Sequence, residues 1–249
     1  MAMSAAEAQR LIDAAREADV LALIDHELRF LSSRRKLRAM LHSGAIGTVR
    51  HCNYVFRSDY RGVLGNWDWW SDETLGGGTL GAIGSHAVDS FRWLLDTEVS
   101  EVCGLLSTHV SREAGQSQRQ QCGASLPTTT SSCCSVLPTR RLTIKCHRSG
   151  NTFGGRVRTT HDNKLEVYGS SGALMVEEGG ALWHSPAGSG AWRPVAVVQD
   201  LVAPGMRDGS WSRGFTDFFR SDRGRAQSGT KTVEGAATFA DGHQRATCA

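Results

Sequence analysis

Hydrophobic residues along this chain recur with two different periods, and the switches between those periods mark out its elements. Ser4 followed three residues later by Glu7 is a capping-box start for a helix running through Ala18. The apolar run Val20–Ile24 then suits a short buried strand. In "SSRRKLRAMLHSGAIG", Leu37, Met40 and Leu41 share a helical face, Ser32 or Ser33 can cap the start, and Gly44 can end it. The period drops to two in "TVRHCNYVFRS", residues 48–58, which predicts a strand with Cys52, Tyr54 and Phe56 on one face. Helical spacing returns over residues 79–95, where Leu80, Ile83, Val88, Phe91 and Leu95 form the predicted apolar stripe.

Farther along, "KLEVYGSSGALMVEEGGALWH", residues 164–184, predicts short strands joined by glycine turns. "GFTDFFRSDRGRA" and "TVEGAATFADGHQ" predict helical segments around an Arg/Gly turn. Between these regions, residues 111–150 are rich in Ser, Thr, Gln and Cys and predict an irregular or disordered segment, with a strand only around Leu142–Cys146. The whole pattern is that of an α+β fold: a short α/β beginning, a glycine-led helix, then a strand-rich body.

Composition narrows the function classes. A chain of 249 residues with 40% hydrophobic content can bury a sizeable core. Its formal net charge is only +3, and its arginines are scattered without an aromatic–basic platform, which argues against nucleic acid as a partner. No apolar run reaches membrane-spanning length, and the first residues lack the basic start and apolar core of a secretion signal. Seven cysteines, an odd number, do not suggest a disulfide framework, so the expected compartment is the cytoplasm. No C-x₂₋₄-C pair is present, and no metal is expected.

Candidate chemistry concentrates in "TLGGGTLGAIGSHAVDSFRWLL", residues 74–95. His86 can act as acid or base near neutral pH, and Asp89, three residues on, lies on a nearby part of the helix surface. Spacing alone leaves a satisfied helix histidine and a structural carboxylate as alternatives. Gly81 and Gly84 each lower helix propensity by about 1 kcal/mol relative to Ala, which points to close approach by another backbone or a ligand. Gly76–Gly78 is not a dinucleotide loop, since the strand–glycine–helix context and the downstream acid are missing. Trp67, Trp69 and Trp70 predict either a flap packed on the core or a substrate wall.

Taken together, "LIDHELRF", "LHSGAIGTVRHCNYVFR", "GGGTLGAIGSHAVDSFRWLL", "KLEVYGSSGALMV" and "GAATFADG" resemble the glucose–fructose oxidoreductase/inositol dehydrogenase (Gfo/Idh/MocA) family. The resemblance implies a C-terminal oxidoreductase domain at residues 29–249, with an open, mostly antiparallel sheet flanked by helices and an aberrant segment at 111–150. It also implies that residues 1–28 are the remnant of a Rossmann domain whose phosphate loop and Glu-Lys-Pro segment would lie before Met1. The implied activity is NAD- or NADP-dependent hydride transfer with a sugar, polyol or related alcohol, and homo-oligomerisation through the sheet. Within that resemblance His86 matches the active-site histidine. Ala82 stands where the family often has an aspartate one turn earlier. Arg29, Trp67, Trp69, Trp70 and Asp89 are the implied substrate or cleft residues; for Arg29 a structural ion pair is the alternative, and for Asp89 a packing role. The competing reading is a non-enzymatic oligomerisation or regulatory remnant.

Overall fold

A computed structural model describes residues 2–58, 69, 72–106, 130–137, 140–147, 161–228 and 233–241. Helix α1 spans Ala5–Glu17, with the Ser4 hydroxyl accepting the Glu7 amide at 3.2 Å. The Glu7 carboxylate reaches one residue farther back than a capping box requires and accepts from the Met3 amide at 2.7 Å. The strand expected at Val20–Ile24 shrinks to β1, Leu23–Ile24. Its one described strand partner is a two-residue segment near the other end of the chain, so Val20 stays 60% exposed.

A 3₁₀ turn, Glu27–Phe30, leads into α2, Ser32–His42. Leu31, not a serine, occupies the capping position, and the carboxylate of Asp200 accepts the Ser32 amide at 2.9 Å instead. Strand β2, Val49–Ser58, follows. A π-helical turn, Leu80–Gly84, then opens into α3, Ser85–Leu95. The remaining elements are β3 (Glu101–Leu106), β4 (Thr130–Leu137), β5 (Arg140–His147), β6 (His161–Gly169), β7 (Gly172–Val176), β8 (Leu182–Pro186), β9 (Arg193–Val195), α4 (Ser210–Ser228) and β10 (Ala237–Thr238).

Eight strands form one open sheet in the order β3-β4-β5-β2-β6-β7-β8-β9. The β2–β5 pair is parallel and the other ladders of this sheet are antiparallel. The alternation read in β2 holds: Cys52, Tyr54 and Phe56 are buried, and they join Leu165, Val167, Leu174 and Val176 of β6 and β7 in the core. Leu37 of α2 and Ala87, Phe91 and Leu94 of α3 complete that core. Tyr54 and Phe91 meet edge to face at 6.3 Å, pinning α3 to the sheet.

Three expectations need correction. Residues 130–137 form a strand, although composition predicts irregular chain there; the strand expected around Leu142–Cys146 is present and extends over Arg140–His147, and residues 111–129, 138–139 and 148–150 lie outside the described residues. Strand β4 is flanked by ladders on both sides, from Glu101↔Val136 to Leu106↔Ser131 and from Thr130↔His147 to Leu137↔Arg140. Such ladders satisfy the backbone whatever the side chains are. Helix α4 runs through the expected Arg/Gly turn, and Ala237–Thr238 pair with β1 instead of forming a helix. The buried stripe of the glycine-led helix is Ile83, Ala87, Phe91 and Leu94, with Leu80, Val88 and Leu95 only half-buried. A π turn adds a residue to one helical turn and so rotates the face presented to the sheet.

Candidate active site

Two short segments build the site. The turn containing "DHELRF" supplies Asp25, His26, Glu27 and Arg29, and the first two turns of α3 supply His86 and Asp89. The π turn before α3 depends on its glycines. Gly76 (φ 74°) and Gly78 (φ 86°) adopt left-handed conformations, and a Cβ on Gly81 would overlap the Gly76 carbonyl oxygen. The close approach expected from the glycine content is therefore made by the chain's own backbone.

His86 retains 17% side-chain exposure. Its Nδ1 lies 3.3 Å from His26 Nδ1 and 3.8 Å from a carboxyl oxygen of Glu27. Its ring meets those of His26 at 5.0 Å and Trp211, on α4, at 4.9 Å, both edge to face. Behind it Asp89 is buried and accepts a bidentate pair from Arg29, Nε at 2.8 Å and Nη2 at 2.7 Å. Asp241, beside β10, accepts a further bond from Arg29 at 3.2 Å. Burial opposes the Arg29 charge, but Asp89 and Asp241 more than offset it and raise its pKa above the usual arginine value.

Asp89 also faces His26. His26 Nε2 lies 3.8 Å from an Asp89 oxygen, which favours a proton on that nitrogen. One of the two facing Nδ1 atoms of His26 and His86 carries the proton that lies between the rings.

Glu27 is 1% exposed. Burial, then the nearby charge of Asp25, push its carboxyl up to about 9, with the Arg34 guanidinium acting the other way. It is therefore a neutral acid at neutral pH. The carboxyl of Asp25 is also raised, chiefly by burial.

Of the residues read from the sequence, His86, Arg29 and Asp89 come together. Arg29 and Asp89 form the buried ion pair that stood as the alternative to direct cleft roles. Trp69 is 44% exposed, while Trp67 and Trp70 lie outside the described residues. Ala82 belongs to the π turn and packs on the core. His26, Glu27, Trp211 and Asp241 were missed. The visible signal for the first two was the density of ionisable side chains in "DHELR", residues 25–29. Among the described residues no group of three or more His, Cys, Asp or Glu is placed to hold a metal ion. A nicotinamide dinucleotide needs a glycine-rich turn between a parallel strand and a helix for its diphosphate. Here β1 pairs antiparallel with β10, and the triple glycine feeds the π turn, so the described residues do not fit the dinucleotide's phosphates.

Residues 34–175, more than half of the chain, match the GFO/IDH/MocA C-terminal domain. The chain belongs to this family. A glucose-fructose oxidoreductase domain-containing protein 2 from Xenopus laevis is 31% identical over 115 residues, 45% of this chain and 29% of that protein. An uncharacterized oxidoreductase of Synechocystis is 24% identical over 219 residues, 84% of this chain and 55% of its own length. The chain thus spans about half or less of these relatives. In fold it is similar to levoglucosan dehydrogenase in complex with NADH and levoglucosan, with a TM-score of 0.74 and 17% identity. That likeness covers 98% of this chain and 66% of the other. An oxidoreductase domain protein from Kribbella flavida gives a TM-score of 0.73 at 21% identity, covering 98% of this chain and 68% of the other. No helix among the described residues is long and apolar enough to cross a membrane.

Proposed function

We propose that this chain is the substrate side of an NAD- or NADP-dependent oxidoreductase acting on a sugar, polyol or related alcohol, with His86 as the group that handles the hydroxyl proton. The observation that carries the reading is the position of His86: partly exposed, with its Nδ1 facing His26 and Glu27 and with Asp89 behind His26. An imidazole nitrogen held in that state accepts a proton from an alcohol as the alcohol becomes a carbonyl. Family membership and the levoglucosan-binding structural relative support the substrate class. Trp211, edge-on to His86, supplies an apolar wall of the kind a sugar ring packs against. The odd number of cysteines suits a reducing compartment such as the cytoplasm.

Calorimetric titration of the purified chain with glucose, myo-inositol and levoglucosan tests the substrate class. One of them is expected to bind, and His86→Ala is expected to weaken that binding by about tenfold, the worth of one hydrogen bond. Absence of binding across the panel, or equal binding by the variant, sinks the reading.

A further inference from the structure

Glu27 is the buried ionisable group that the alcohol chemistry above does not use. Its carboxyl lies beside that of Asp25, and the Nδ1 side of the His86 ring lies 3.8 Å from one of its oxygens. Catalytic contacts of this length commonly tighten when substrate binds. Asp25, two residues away, is exposed as a residue while its carboxyl is partly desolvated beside Glu27, so it links the buried acid to solvent. Taking the proposed role of His86 as given, we propose that Glu27 is a positioning residue that supplies the counter-charge when His86 becomes an imidazolium.

The step balances as follows. The O–H bond of the alcohol breaks as an N–H bond forms at His86 Nε2, which puts a positive charge on the ring. An opposing charge lowers the cost of that cation, and the Glu27 carboxyl lies 3.8 Å from the ring. The Glu27 O–H bond breaks, its proton passes through Asp25 to water, and an imidazolium–carboxylate pair remains. One proton has left the alcohol, one has reached solvent, and the buried region keeps its net charge. Reduction runs the same steps backward.

The charged groups around Glu27 agree with this assignment. Asp25 on its own turn and Asp89 on α3 oppose its ionisation, and Arg34 on α2 assists it. Burial and Asp25 keep it protonated while His86 is neutral. From α4 the backbone of Gly214 covers Glu27: a Cβ there would sit 2.5 Å from the Glu27 carbonyl oxygen, so water has little room on that side.

Nuclear magnetic resonance titration of the His86 imidazole in the full chain, without any substrate, tests the coupling. Glu27→Gln keeps the shape of the neutral acid and removes the counter-charge. The midpoint of the His86 titration is expected to fall by about one pKa unit, tenfold in proton affinity. Asp25→Asn removes the charge that opposes Glu27 ionisation, so the same midpoint is expected to rise. A purely structural role for Glu27 does not move the two variants in opposite directions. An unchanged midpoint in folded Glu27→Gln, or shifts of the same sign in both, overturns the counter-charge role while leaving sugar binding to be judged by calorimetry. Loss of sugar binding with the opposed shifts intact removes the substrate reading instead.

Discussion

Arg29 shows how one side chain links the chemistry to the fold. Its guanidinium bonds Asp89 through two nitrogens and reaches Asp241 through one of them, with 7% exposure. Asp89 in turn lies 3.8 Å from His26, which touches His86. Replacing Arg29 with Met retains bulk but leaves Asp89 buried and uncompensated. Breaking a buried pair in this way costs roughly 3–5 kcal/mol, more than replacing both partners together. Urea denaturation of Arg29→Met and of Arg29→Met/Asp89→Leu checks it: the single variant should be the less stable of the two. His86, Arg29 and Asp89 were legible because each stood in a recognisable pattern. The roles were less legible, since spacing does not say which acid faces which base. Glu27 is the clearest case, because a glutamate reads as surface until burial is known.

At the level of elements, the glycines carry much of the information. Gly81 lies where the π turn folds back on the Gly76 carbonyl, and Gly214 lies where α4 crosses the Glu27 backbone. Neither was an ordinary helix position, and the low helix propensity of Gly81 and Gly84 signalled the first crossing. Gly214 gave no such warning, because its partner is almost two hundred residues away in the chain. Gly214→Ala should force α4 off the turn, since the added carbon would meet the Glu27 carbonyl oxygen and carbon at 2.5 and 2.8 Å. Overpacking of this sort costs typically 1–3 kcal/mol. Thermal unfolding reads the loss, and the Trp211 fluorescence spectrum should change as the indole leaves the His86 ring. A variant as stable as the parent would mean that the helix slides without cost.

Across the whole molecule, one small ladder and a set of ion pairs tie distant parts of the chain to the site. β1 pairs with β10, and Asp241 beside β10 accepts from Arg29 and from the Thr238 amide at 2.8 Å. The backbone carbonyl of Asp241 accepts from Arg92 at 3.1 Å. Burial pushes the Asp241 carboxyl up, but its bonds to Thr238 and the charge of Arg29 outweigh this and hold it below the usual aspartate value. A depressed pKa means stability that is present at neutral pH and lost as pH falls through the folded value. Asp241→Asn should therefore cost about 1 kcal/mol at pH 7 and less below pH 4, measured as the difference in unfolding midpoint between the two conditions.

The sequence by itself determined the class of fold and the position of the glycine-led helix that carries His86. Period-two and helical patterns depend on neighbours within a few residues, which is why β2, α2 and the strands of residues 164–184 were readable. Tertiary structure alone decided β4, whose Ser- and Cys-rich sequence says little and whose order comes from backbone ladders on both sides. It also decided the surroundings of His86. Burial turns Glu27 into a neutral acid, and packing of the "DHELRF" turn against α3 brings two histidines and two carboxyls to one place. Desolvation and through-space charge depend on the folded neighbourhood, and no local pattern in the chain encodes them.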